Sequence, residues 1–260
     1  MTDAQWSPVP RAGDADEFLP VLDLVEPGRQ RRLTVLLRLL LLIPHALVLV
    51  VLEIAAFFTL VFGWFAALAL ARLPGPVYRF LAQVLAYRTR VGASAMLLVD
   101  SYPPFTLGQP SSYPVRIDVR PTRLNRLAVL FRAVLVIPAA IVQGLLTSGW
   151  SALAVLWWLI TLILGRMPRP LFEATAATLR YEMRVSAYFS LLSPAYPKGL
   201  FGEDALSVPQ GRPRSDTRPL VVSGAGKALL ILFLVLGVAG GITTSTTRSA
   251  TDDTGYSLRP

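Results

Sequence analysis

The stretches LTVLLRLLLLIPH at residues 33–45 and LAVLFRAVLVIPA at residues 127–139 lie 94 positions apart and share an Arg, an Ile-Pro pair and an otherwise apolar run. The register extends in both directions without a gap. Val21, Pro27, Arg29 and Arg32 fall on Val115, Pro121, Arg123 and Arg126, and Trp64, Arg72 and Pro74 fall on Trp158, Arg166 and Pro168. Tyr87, Arg90, Val91, Leu97, Tyr102 and Pro103 fall on Tyr181, Arg184, Val185, Leu191, Tyr196 and Pro197. Coincidence at one offset over such a length is a tandem duplication. Each unit reads as a lead-in, an apolar block, a basic helix and a Tyr-Pro exit.

The apolar blocks decide the class. From Leu33 to Ala71 the chain is nearly unbroken Leu, Val, Ala, Ile and Phe. One helix of that length is about 58 Å long at about 1.5 Å per residue, roughly twice a hydrocarbon core of about 30 Å. The block is therefore expected to fold as two spans, 33–51 and 54–72, turning near Glu53. The second block is expected to span at 127–145 and 149–166, with Gln143 to Gly149 supplying the turn. A fifth span is expected from Ala225 to Ile242. The segments 76–98 and 170–192 carry apolar residues at spacings of three and four, with Arg79, Arg88, Arg90, Arg180 and Arg184 among them. They are expected to be amphipathic helices lying in the headgroup layer. Val115 to Arg120 alternates with period two and is expected to pair as a strand with Val21 to Val25.

The expected fold is thus an all-α integral membrane protein. Two tandem transmembrane hairpins, each followed by an amphipathic helix, precede a C-terminal transmembrane helix, with a short two-stranded cytoplasmic pairing. The units run 21–107 and 115–201. A tail at 1–20, a cytoplasmic linker at 202–224, the last span at 225–244 and an unstructured external tail at 245–260 complete the chain.

Composition agrees and excludes other classes. Of 260 residues, 53% are hydrophobic and 16% charged, with a mean hydropathy of +0.54, against about a quarter charged in soluble domains. That excludes a disordered chain and a soluble enzyme. With no Cys and a single His, a disulfide framework and a Cys/His zinc site are excluded within one chain. The net charge of +9 points first to anionic headgroups, the basic residues adjoining apolar runs. Lys and Arg number four in residues 1–32, seven from Arg79 to Arg126 and nine from Arg166 to Lys227, and are absent from the expected hairpin tips. This asymmetry predicts a multi-pass plasma-membrane protein with its amino terminus cytoplasmic and its carboxyl terminus external.

The candidate site residues follow from this placement. Arg38 and Arg132, inside the first span of each unit, are expected to anchor the helix or bind lipid phosphate, the guanidinium suiting bidentate phosphate contacts. Arg79, Arg88, Arg90, Arg180 and Arg184 are expected to hold anionic lipid with them. Pro44 and Pro138 are expected to kink their helices. Gly237 and Gly241 form a G-x-x-x-G expected to serve helix packing or self-association. His45 has Ala139 as its counterpart and is expected to be a packed side chain. Glu53 is expected to be solvated, and Trp64, Trp157 and Trp158 mark either interfacial belts or core. No catalytic motif, metal site or cofactor site is expected.

The run Arg38 to Ile43-Pro44-His45, the pair Gly63-Trp64, Arg72-x-Pro74, Tyr87-Arg88-x-x-Arg90-Val91 and Leu97-Leu98-x-Asp100-x-Tyr102-Pro103-Pro104-Phe105 resembles a bacterial membrane family known as domain of unknown function 4389, in a form with two copies. The second copy departs from it, with Ala139 at the His position, Pro194 at the Asp position and Lys198-Gly199 in place of Pro-Phe. The resemblance implies an integral membrane protein and no assigned activity. The abundance of Ala, Leu, Val and Arg beside only two Lys also resembles the usage of GC-rich actinobacteria. Together these readings predict a non-enzymatic accessory or scaffold protein whose basic cytoplasmic face binds anionic lipid or a membrane partner protein, or a second copy of itself, and no nucleic acid. A small transporter or channel, with a path between the hairpins near Pro44 and Pro138, stands as the alternative.

Overall fold

The computed structural model describes residues 18–110, 112–203, 217 and 220–255, with side chains as far as Gly241. Nearly all of the expected amino-terminal tail, most of the linker and residues 256–260 lie outside the described residues. Strand β1 (Val21–Leu24) leads into helix α1 (Arg32–Leu70) and α2 (Gly75–Ala95). The second unit repeats this with β2 (Val115–Asp118), α3 (Arg126–Leu135), α4 (Ile137–Ala152), α5 (Ala154–Leu164) and α6 (Arg169–Phe189), and α7 (Gly224–Gly255) closes the chain. The strands pair antiparallel, Val21 opposite Asp118 and Leu24 opposite Val115, as their alternation predicts.

The first block does not turn at Glu53. It is one helix of 39 residues, running through Pro44. Its buried residues, Val35, Arg38, Leu42, His45, Ala56, Gly63 and Ala67, form a stripe at helical spacing along the whole length. The length comparison with a bilayer assumed lipid on every side, whereas this stripe packs on protein from end to end. The second block is helical too, interrupted at Val136, two residues before Pro138, and at Leu153. Gln143 to Gly149, expected to turn, lies inside α4. Its glycine serves close approach instead: a Cβ on Gly149 would sit 1.8 Å from the Phe233 carbonyl oxygen of α7. Three helical stretches, Arg32–Leu70, Arg126–Ala152 and Gly224–Gly241, are long and apolar enough to cross a membrane, in place of the five spans expected. Helix α7 also runs to Gly255, where the composition predicts an unstructured tail, because elongating an existing helix costs little per residue.

The amphipathic helices are the core rather than a headgroup layer. Helix α6 is buried on almost every side, and α2 packs between it and α1. Their apolar faces meet each other, and Arg90, Arg180 and Arg184 on them are met by backbone carbonyls of the loops that follow. Both begin beyond a proline, Pro74 or Pro168, with a second proline in the first turn, where a missing N–H removes no helical hydrogen bond.

The two copies close on each other about a pseudo-two-fold. Equivalent strands pair with each other, as an isologous contact requires. Three further kinds of contact across the junction occur in duplicate at the 94-residue offset. The Gln30 N–H donates to the Gly165 carbonyl at 2.8 Å, and the Leu124 N–H donates to the Ala71 carbonyl at 2.8 Å. Trp158 Nε1 donates to Val35 at 2.9 Å, and Trp64 Nε1 donates to Val129 at 3.0 Å. Arg32 reaches the Ile163 carbonyl and Arg126 the Ala69 carbonyl. The end of each copy's apolar block is thereby fastened to the beginning of the other's.

The α4–α7 contact generates a prediction. A Cβ on Gly237 would lie 2.2 Å from the Leu145 carbonyl oxygen, whereas one on Gly241 meets nothing within 4 Å. Gly149→Ala and Gly237→Ala are expected to lower stability in detergent by about 1–3 kcal/mol or more, with Gly241→Ala near neutral. Thermal unfolding of the three variants checks this; equal effects would contradict the packing.

Candidate functional site

The arginines are the polar groups that the sequence places against apolar surface. Arg38 is buried and donates to the carbonyls of Ser94 at 2.9 Å and Val99 at 2.6 Å, with Asp100 at 3.6 Å. These carbonyls belong to the end of α2 and the turn after it, where Leu97 adopts φ +62°. Arg132, its counterpart, donates to the Ser193 carbonyl at 2.8 Å and lies 4.1 Å over the ring of Tyr188. Ser193 corresponds to Val99, and Leu191, which matches Leu97, also has φ +62°. Each of these arginines therefore pins the end of its own copy's buried helix onto its own apolar block. A guanidinium with five donors matches a turn that exposes several carbonyls at once.

The second tier sits on α2 and α6. Arg90 donates to the Gly108 carbonyl at 2.5 Å and to that of Thr106. Arg184 donates to the carbonyls of Pro20 at 3.0 Å and Lys198 at 2.7 Å and to the Glu203 carboxylate. Arg180 donates to the Gly199 carbonyl at 2.7 Å and lies 3.3 Å from the same carboxylate. Burial first, and the neighbouring Arg184 second, bring Arg180 down to about 10, with Glu203 opposing them. Gly199 stands at φ +77°, and a Cβ there would sit 2.9 Å from an Arg184 nitrogen. Burial likewise lowers Arg90.

Arg88 sits on the pseudo-two-fold. It is half exposed and bridges Glu53 at 3.3 Å and Glu182 at 3.0 Å. Glu182 is its own register equivalent, so the duplication has produced an ion pair by placing opposite charges at one position. Beside it, between α2 and α6, lies a cavity of about 190 Å³ that neither Pro44 nor Pro138 lines. Of the seven expected lipid-contacting arginines, Arg79 alone is fully on the surface; Arg38, Arg90, Arg132, Arg180 and Arg184 are buried with internal partners.

His45 is buried as expected, and the sequence hides its partners. Its Nδ1 is 2.7 Å from the Tyr87 hydroxyl, and its ring stacks on Phe105 with centroids 3.9 Å apart, beside Tyr102. The Ile-Pro-His and Tyr-Pro-Pro-Phe signatures are therefore two halves of one contact. The second copy loses both halves together, with Ala139 for His45 and Gly199 for Phe105, and gives that loop to Arg180 and Arg184 instead. The matched departures at 139 and 198–199 are the signal in the sequence from which this pairing is readable. Glu53, expected in solvent, is half exposed against Arg88, and Trp64 and Trp158 are inter-copy staples. Trp157 is core against Phe233 of α7. Among the described residues no three His, Asp or Glu side chains gather as a metal would need.

Replacing a buried arginine leaves its carbonyls without donors and Asp100 without a charge partner. Arg38→Gln and Arg132→Gln are expected to cost about 2–4 kcal/mol of stability, and Arg79→Gln less than about 0.5. Denaturant titration in micelles separates them; indifference at Arg38 would refute the clamp.

A family model described as Domain of unknown function (DUF4389) matches twice, at residues 32–106 and 126–200. No curated protein and no solved structure matches the chain.

Proposed function

We propose, on the premise that this chain belongs to the DUF4389 family and carries its domain in two tandem copies, that it is a non-enzymatic accessory or scaffold protein integral to the bacterial plasma membrane. Its basic cytoplasmic face attracts anionic lipid or an acidic partner protein. One observation carries the reading: apolar side chains along α1, α3, α4, α5 and α7 face outward, Leu39, Val155 and Phe58 among them, while each buried guanidinium donates to at least one acceptor inside the fold. A water-facing surface of this kind costs about 25 cal/mol per Å² of apolar area, which lipid removes. The charge asymmetry supports an amino terminus inside and a carboxyl terminus outside. The headgroup attraction, about 1 kcal/mol per basic residue near the surface, belongs to exposed arginines such as Arg79 rather than to the buried clamps.

The alternative of a transport path between the copies finds its support in the cavity beside Arg88. At about 190 Å³, with Arg88 and Glu182 paired across it, that space favours a closed scaffold.

Washing native membranes with urea and high salt at neutral pH tests the reading. An alkaline wash is unsuitable because burial pushes the phenols of Tyr78 and Tyr113 up to about 12. The stability these groups lend is complete below the ordinary tyrosine value near 10 and is lost as pH rises toward 12. The chain is expected to stay with the membrane until detergent releases it, and then to copurify with anionic phospholipid or a partner protein. Release by urea and salt alone would overturn the proposal.

A further inference from the structure

Two clefts open where the copies meet, and they occupy equivalent places. The first, about 930 Å³, is lined by Arg29 from the lead-in of the first copy and by Arg166 and Arg169 from the second. The second, about 580 Å³, is lined by Arg123 from the second lead-in and Arg72 from the first copy. Arg29 matches Arg123 in the 94-residue register, and Arg72 matches Arg166. Each cleft thus receives one arginine of this matched set from each copy, Arg29 with Arg166 and Arg123 with Arg72, and the duplication keeps both pairs.

These four guanidiniums differ from the clamps in their bonding. Arg38, Arg90, Arg132, Arg180 and Arg184 are all engaged by carbonyls or carboxylates, whereas Arg29, Arg72, Arg123 and Arg166 are exposed and make no hydrogen bond or ion pair among the described residues. Each cleft also borders the first turn of a buried helix, α6 at Pro168 and Arg169 or α2 at Pro74 and Gly75, neither of which has a side-chain cap. The amino-terminal end of a helix carries partial positive charge, which here lies at the border of each cleft. An apolar flank completes the arrangement: Leu164 ends α5 beside the first cleft and Leu70 ends α1 beside the second, both more than half exposed.

We propose that these are twin phosphate-binding clefts, each taking the phosphate of an anionic phospholipid between its two cross-copy arginines, with the acyl chains lying against the adjoining apolar helix. Paired guanidiniums suit a phosphate because each offers parallel N–H groups to two oxygens. The lipid as source rests on the membrane reading; the phosphate chemistry does not. The clefts are unequal. The first adds Arg169, itself paired with Glu173 at 3.3 Å, and Glu26, whereas the second has Gly75 in place of Arg169 and adds Tyr78.

The test counts phosphatidylglycerol retained by the full-length chain in mild detergent by native mass spectrometry, with phosphatidylcholine as the neutral comparison. Two retained anionic lipids are expected per chain. Arg29→Gln with Arg166→Gln should abolish one, Arg72→Gln with Arg123→Gln the other, and the fourfold variant both, with at least about tenfold weaker binding at each altered cleft. All four positions are surface ones, so the variants are expected to unfold at the wild-type temperature, and Arg→Lys at the same positions should recover part of the binding. Inorganic phosphate added in excess separates the sources: displacement of the lipid assigns the clefts to phosphate from either source, and no displacement assigns them to lipid alone. Retention by the fourfold variant equal to wild type, or equal retention of phosphatidylcholine, overturns the proposal. The fourfold variant should still resist urea and salt in membranes. A chain that washes off yet binds inorganic phosphate through these arginines would keep the clefts while losing the membrane reading.

Discussion

Everything in this molecule depends on two copies of one segment closing on each other reciprocally. A surface that binds its own copy about a two-fold must be complementary to itself, so each contact made once is made twice. The structure meets that condition in the strand pair, in the Trp64 and Trp158 staples and in the two backbone hydrogen bonds that join each block's end to the other's start. Once Ala71 is held by Leu124, the first apolar block cannot fold back on its own beginning.

Self-complementarity also explains why charge is buried in so apolar a chain. Helices α2 and α6 run through the centre, where their arginines would be intolerable without partners. The loop after each helix returns over it and supplies carbonyls, so that charge and turn stabilise each other. The copies have divided the means of doing so. In the first, Asp100 accompanies Arg38 and an aromatic nest encloses His45; in the second, Tyr188 covers Arg132, and Glu203 sits between Arg180 and Arg184. Duplication allowed this divergence because each copy needs only to keep its junction surface.

Much of this was legible in the residues and some was not. The repeat, the helical blocks and the strand pair follow from identity at fixed spacing, from apolar runs and from alternation. The turns expected near Glu53 and in 143–149 do not form, because an apolar run longer than a bilayer can lie on protein instead of reversing, and because glycine marks close backbone approach as well as turns. Helices α2 and α6 lie in the core and not at the surface, because an amphipathic pattern records only that one face is polar. It does not record that a loop's carbonyls cover that face. The exposed arginines at 29, 72, 123 and 166 were visible as matched positions, yet only the reciprocal closure brings a residue of one copy beside a residue of the other.

The most direct measurement is thiol cross-linking in the native membrane, for which the absence of cysteine gives a clean background. Cysteines at Arg32 with Ile163, and at Ala69 with Arg126, are predicted to be joined by a short bifunctional reagent, because each copy's beginning abuts the other's end. Cysteines at Arg32 with Ala69, and at Arg126 with Ile163, are predicted to stay apart. Cross-linking of the second set and not the first would mean self-contained hairpins, and would contradict the reciprocal closure.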